Sequence, residues 1–276
     1  MTRAELHVLA DRYLGALAAR EPSRLPVAPG LRCTENGREL KLGEGLWARP
    51  TALRTRRTFV SPGDGQALVF AVIDDAGEPA VLAVRLGVAD GRLREVESLV
   101  SHRGESSLFG PESLLAQPIA ENVLDPSERA SRDSLVRAVD AYFDGIERDT
   151  SAGVPFHPEC DRIENGVQTT RNPAFLGGLG AADQLDGKLF AYIERMRARR
   201  YPLADTETGQ VLAIVLLDVP GTVTSLELAG RRVELPPHLR QPRSTLLFER
   251  FHVERGRIRA IEAFMHNLPY GASSGW

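Results

Sequence analysis

Cysteine is scarce: Cys33 and Cys160 are the only two in 276 residues. That excludes a disulfide framework and a cysteine-rich zinc site, and leaves two buried thiols as the expectation. Positive charge is not in excess either. Lys and Arg number 34 against 37 Asp and Glu, a net charge of −3, so no global field holds a phosphate backbone and nucleic acid is not an expected partner. Long apolar runs are missing as well. The longest, 67–73 and 211–217, fall far below the roughly 20 residues that span a bilayer, so no membrane partner is expected. The opening Met1-Thr2-Arg3-Ala4-Glu5-Leu6-His7 lacks the apolar core of a secretory signal, which makes a cytoplasmic location the expectation. No His-x-x-His or His-Glu-x-x-His spacing occurs, and Gly177-Gly178-Leu179-Gly180 lacks the Lys and the strand–helix context of a phosphate loop. Neither a metal nor a cofactor is implied.

What is present is a composition of 42% apolar and 26% charged residues, that of a folded globular protein with one large domain or two ordinary ones. Comparing the chain with itself decides between these. At an offset of 129, Leu6, Asp11, Tyr13, Pro26, Pro29, Glu35, Asn36 and Gly37 meet Leu135, Asp140, Tyr142, Pro155, Pro158, Glu164, Asn165 and Gly166. Later, Arg54, Arg56 and Arg57 meet Arg197, Arg199 and Arg200, and Glu97 meets Glu262. The chain is therefore two copies of one fold in the same order.

Each copy opens on an amphipathic helix: Leu6, Leu9, Tyr13, Leu14 and Leu17 in the first, and Leu135, Val139, Tyr142, Phe143 and Ile146 in the second. Ser131 is the N-cap signal of the second helix. A short strand ending in a Glu-Asn-Gly turn follows in both, then β-rich runs at 53–60, 66–74, 79–86 and 93–102, repeated at 190–203, 210–219, 246–254 and 257–267. The pattern predicts an α+β fold, two tandem units with N-terminal helices packed on a curved antiparallel sheet. The expected organisation is a first domain over 1–105, a linker over 106–130 and a second domain over 131–276. The second copy carries two added stretches, 169–187 and 221–244, and loops of that length line binding sites. An active pocket is expected in the second copy.

The opening helix with Arg12-Tyr13-Leu14-Gly15-Ala16-Leu17, the strand ending Ile163-Glu164-Asn165-Gly166 and the long strands that follow resemble the nuclear transport factor 2-like superfamily, which includes SnoaL-like cyclases, scytalone dehydratase and ketosteroid isomerase. The tandem form is similar to a double-domain SnoaL-like family. The resemblance implies cone-shaped α+β barrels, two fused into an intramolecular pseudo-dimer, with further homodimerisation left open. It also implies that Tyr13 and Tyr142 stand where ketosteroid isomerase presents a tyrosine to a developing enolate. Asn36 and Asn165 stand where that enzyme has its aspartate base, and an amide cannot serve as one.

The densest polar cluster, His157 to Asn165, enters the second cone. Strand alternation puts Asp161, Ile163 and Asn165 on one face and Arg162 and Glu164 on the other, without saying which lines the pocket. The ketosteroid isomerase register places Asp161 and Asn165 inward, which leaves Arg162 and Glu164 to pair on the outer face. The candidate catalytic residues are Asp161 as proton acceptor, Tyr142 as donor to an oxyanion and His266 as acid/base partner. The candidate substrate-binding residues are Arg162, Glu164, Asn165, Tyr192, Arg199 and Tyr270. With the resemblance, these imply a cofactor-independent lyase, dehydratase or isomerase for a small apolar molecule bearing a hydroxyl or carbonyl, of aromatic, terpenoid or polyketide type. The alternative is a binding module in which the same residues hold a ligand without turning it over.

Overall fold

The computed structural model describes residues 1–115, 122–228 and 231–276. Among these, four α-helices follow in order: α1 (Arg3–Ala19), the single turn α2 (Pro111–Leu114), α3 (Arg132–Glu147) and the short α4 (Ala181–Asp186). The helix-period spacing of apolar residues explains the two long ones. α1 buries Leu6, Leu9, Tyr13, Leu14 and Leu17, and α3 buries Leu135, Val139, Tyr142, Phe143 and Ile146. Thr2 and Glu5 close a capping box on α1, and Ser131 caps α3 by accepting from the Ser134 amide.

The first copy contributes β1 (Val27–Glu35), β2 (Arg38–Leu40), β3 (Thr51–Ser61), β4 (Gln66–Asp75), β5 (Glu78–Ala89) and β6 (Arg92–Ser101). The second contributes β7 (Phe156–Glu164), β8 (Val167–Gln168), β9 (Arg195–Asp205) and β10 (Gln210–Val219), the small hairpin β11 (Ser225–Leu228) and β12 (Arg231–Glu234), then β13 (Arg243–Glu254) and β14 (Arg257–Leu268). The two large sheets have one topology, β2-β1-β6-β5-β4-β3 and β8-β7-β14-β13-β10-β9. Neighbours are antiparallel except β1 with β6 and β7 with β14, which are parallel. Each sheet carries its long helix on one face, giving the tandem α+β cones expected. The added stretch 169–187 holds α4, and 221–244 holds the β11–β12 hairpin, apart from residues 229 and 230, which lie outside the described residues. So do 116–121 of the expected linker.

The Glu-Asn-Gly turns do the same work in both copies. Asn36 and Gly37, and Asn165 and Gly166, have positive φ, as a two-residue hairpin turn requires. Each Asn side chain then pairs with the backbone of the parallel neighbour strand. Asn36 Nδ2 donates to the Val100 carbonyl at 2.9 Å and its Oδ1 accepts from the Val100 amide at 2.8 Å. Asn165 treats Met265 the same way, at 3.0 and 2.8 Å.

The faces of the sheets away from the helices pack on each other through Phe59, Leu68, Phe70, Ile214, Phe248 and Phe264, with the Phe70 and Phe264 rings stacked at 4.2 Å. Charge is buried there in a repeated arrangement. Arg57 Nη1 donates to Glu262 at 2.9 Å, and its counterpart Arg200 donates to Glu97 at 3.2 Å. Within each sheet, Arg85 donates to Glu97 and Gln66 at 2.9 and 3.0 Å, and Arg250 to Glu262 and Gln210 at 3.4 and 2.7 Å. Trp276 folds back onto the first copy, where its Nε1 donates to Thr34 Oγ1 at 2.8 Å and Arg32 lies over its ring.

Glu262 therefore holds two buried guanidinium groups at the junction, Arg57 of the other sheet and Arg250 of its own. Glu262→Ala strands both, and loss of one partner of a buried pair costs about 3–5 kcal/mol. Urea unfolding should show that loss, whereas Arg148→Ala, which breaks an exposed pair with Asp144, should change stability by less than about 1 kcal/mol. Equal effects would contradict the assignment of stability to the buried junction.

Candidate functional site

The two cones differ in what fills them. In the first, a turn at Gly45–Ala48 drives Leu46 and Trp47 into the interior. The Glu35 carboxylate accepts from the Leu46 amide at 2.9 Å, and the Trp47 ring meets Tyr13 edge-on at 5.4 Å. The interior of that cone is an apolar core. In the second copy the corresponding connection is the longer stretch with α4, and the interior stays hollow. An inner chamber of about 80 Å³ lies between α3 and the helix-bearing face of β13 and β14, lined by Tyr142, Glu164, Tyr192, Arg243, Glu249 and Asn267 among apolar residues. An outer chamber of about 480 Å³ shares Ser107, Leu108, Glu164, Phe190 and Tyr192 with it, and is walled by residues of both added stretches, including Phe175, Leu226, Leu235 and Leu239.

Glu249 is the chemical centre of the inner chamber. Its Oε2 is buried without a hydrogen-bond partner among the described residues. Burial pushes its carboxyl up to about 8, helped by the negative charge of Glu164, while Arg162 and the Tyr142 hydroxyl pull the other way. At neutral pH the group therefore holds its proton. Arg162, also fully buried, donates to Thr169 Oγ1 at 3.1 Å and to the Tyr142 hydroxyl at 3.4 Å, and lies 3.5 Å from Glu164. Burial works against its charge, but Tyr142 and Glu164 outweigh that and push its pKa up. Burial raises the Tyr142 phenol well above the usual range and the Tyr192 phenol to about 12, so both remain hydrogen-bond donors. Arg243 is held by its Nη1 to the His238 and Gln241 carbonyls at 3.1 and 3.4 Å, and its Nε is buried and unpartnered. Among the described residues no group of His, Cys, Asp and Glu is placed to share a metal ion. No helix among them is long and apolar enough to cross a membrane.

Of the residues expected at the site, the structure brings Tyr142, Arg162, Glu164 and Tyr192 to the chambers. It places the others elsewhere. The register of β7 is the reverse of the one that put Asp161 and Asn165 inward: Arg162 and Glu164 turn to the helix side, and Ile163 packs into the junction between the sheets. Asp161 is instead a half-exposed partner of Arg171 at 2.6 Å and lines neither chamber. Asn165 spends its amide on the β14 backbone. His266 lies between Met265 and Asn267, which face the inner chamber, so alternation turns it away, beside Glu105 at 3.6 Å. Arg199 ties β9 to Asp140, Asp144 and Glu147 along α3, at 3.1, 2.7 and 2.8 Å. Tyr270 is exposed and donates to Glu194.

Sequence reasoning missed Glu249 and Arg243. A signal for Glu249 exists: it shares a strand face with Leu247 and Phe251, and its counterpart in the first copy is Val84, since Ala213 faces Glu249 as Val69 faces Val84. A carboxylate where the sister copy has valine, in an apolar line on a strand paired on both sides, marks a buried charge with a use.

Fold and site together define a tandem α+β cone protein with one filled cone and one hollow, polar-lined cone. The chain belongs to the family described as a domain of unknown function, DUF8021, whose model matches residues 1–100 and 128–265. No curated protein matches it. Solved structures similar to parts of it include a nuclear transport factor 2-like protein of unknown function from Cytophaga hutchinsonii, at 8% identity over 35% of this chain and 89% of that one, TM-score 0.30. A candidate ketosteroid isomerase from Kribbella flavida is 20% identical over 43% and 93%, TM-score 0.32. A candidate polyketide cyclase from Silicibacter is 11% identical over 42% and 96%, TM-score 0.30. Likenesses at this level say nothing about chemistry, which rests on the residues of this chain.

The raised Glu249 carboxyl has a consequence for stability. The folded protein holds this proton more tightly than the unfolded chain, whose carboxyl sits near 4.5. The resulting stabilisation is fully present below about 4.5 and is lost as pH rises through about 8. Between those limits the wild type should lose up to ~1.4 kcal/mol per pH unit relative to Glu249→Gln. Parallel pH–stability curves for the two proteins would contradict the burial of an ionisable proton at this position.

Proposed function

We propose that the second cone carries out cofactor-independent acid–base chemistry, as a lyase, dehydratase or isomerase, on a small, largely apolar molecule bearing a hydroxyl or carbonyl. The observation that carries this reading is the buried Glu249 carboxyl of the inner chamber, its Oε2 without a hydrogen-bond partner among the described residues and its proton held at neutral pH. It takes the role the sequence reading gave to Asp161. Its proton is available to a leaving hydroxyl or to the carbon of an enolate, and the carboxylate left behind can recover one from substrate. Tyr142, steadied by Arg162 at 3.4 Å, donates to the oxygen on which negative charge develops. The first cone, over 1–105, serves as the fused structural partner, and 131–276 is the working unit. Two unpaired buried thiols suit a reducing cytoplasm.

The test is mass-spectrometric conversion of a panel of aromatic, terpenoid and polyketide-like hydroxy-carbonyl compounds. Wild type should convert at least one, with a rate that falls as pH rises through about 8, and Glu249→Gln should slow it by about 10²–10⁴-fold. Tyr142→Phe should retain binding while losing rate. Compounds bound but recovered unchanged by wild type would instead favour a module that sequesters its ligand.

A further inference from the structure

Among the described residues, the buried arginines other than Arg243 are matched to acids. Arg57 and Arg250 meet Glu262, Arg85 meets Glu97, and Arg162 meets Glu164. Arg243 has a relative exposure of 9%, lines the inner chamber, and has no carboxylate partner among the described residues. Two carbonyls fix one end of its guanidinium, and its Nε is left without an acceptor. Burial lowers its pKa, the mark of a cation whose desolvation is not compensated. A protein keeps such a cation at a cost unless a ligand completes it.

Its surroundings are those of an anion site. Tyr192 lines the same chamber and keeps its phenolic proton. The Asn267 Oδ1 accepts from Thr245 Oγ1 at 2.9 Å, so its other terminus is the NH₂ donor. Glu249 is uncharged at neutral pH and Glu164 is turned to Arg162, so neither repels an incoming anion strongly. Outward from this point the lining becomes apolar, with Phe175, Leu226, Val233, Leu235 and Leu239 around the chamber of about 480 Å³.

We propose that the hollow cone takes an amphipathic carboxylate, its acid group held by Arg243 with Tyr192 and Asn267, and its apolar body lying in the outer chamber. This deepens the reading of the same site by naming the class of molecule. Arg recognises a carboxylate through paired N–H donors, and the apolar wall supplies the contact area that a small acid needs for affinity.

The experiment is calorimetric titration of the full chain with decanoate and 2-naphthoate, each against its methyl ester. At least one acid should bind wild type about tenfold or more tighter than its ester, the effect of a charge-assisted hydrogen bond. Arg243→Gln should abolish that preference and Arg243→Lys should keep most of it, with circular dichroism confirming the fold. Leu235→Asp should weaken the acid that binds. Esters that match their acids, a preference that survives in folded Arg243→Gln, or no binding of either acid up to about 1 mM would each overturn the proposal. If Arg243→Gln does not fold, the wild-type acid and ester comparison still decides it. Repeating the titration in Glu249→Gln separates the two readings: binding there without turnover retains the ligand class whatever the fate of the acid–base assignment.

Discussion

Two buried carboxylates, Glu97 and Glu262, hold the halves of this molecule together. Each accepts from one arginine of its own sheet and one of the other: Arg85 and Arg200 on Glu97, Arg250 and Arg57 on Glu262. Charges in such surroundings are costly unless every partner is present, so the arrangement is all or none. It fixes the register of one sheet on the other, and the stacked Phe70 and Phe264 rings and their aliphatic neighbours fill the rest of the junction. With the outer sheet faces committed to each other, the helix-bearing faces are the ones left to differ.

They differ by a few residues in matching positions. The first cone has Cys33, Val84 and an intruding Trp47, and it closes into a core. The second has Arg162 where the first has Cys33 and Glu249 where it has Val84, and no tryptophan enters it. Arg162 is satisfied by Glu164, Thr169 and Tyr142, which leaves Glu249 with too little compensation to ionise at neutral pH. The hollow cone is thus a duplicate of a packed one in which buried volume and stability have been exchanged for polar groups held out of water. The function proposed for this chain rests on that asymmetry.

Much of the fold was legible in the sequence because it is written twice. Helical spacing around Tyr13 and Tyr142 and the Glu-Asn-Gly turns appear in both copies, and the structure shows why: the Asn side chain closes the parallel strand pair in each. The site was harder to read. Alternation along β7 correctly separates Asp161 from Arg162, but a period of two carries no sign, and only the sheet in place shows that Arg162 faces the cavity. His266 is turned from the chamber by the same alternation, one residue out of phase with Met265 and Asn267. Arg199 and Arg200 point to opposite sides, one to the acids of α3 and one to Glu97. Arg243 was out of reach because what sets it apart is the absence of an acid brought near by folding.

The acid–base role proposed for the second cone depends on a Glu249 carboxyl that stays protonated. Its most direct measurement is a carbon-13 NMR titration of the glutamate side-chain carboxyls, with the Glu249 resonance assigned by its loss in Glu249→Gln. A midpoint near 8, well above every ordinary glutamate, is the predicted result. A midpoint near 4.5, the value of an unperturbed glutamate, would show Glu249 ionised and solvated, and would contradict the acid–base role given to this cone.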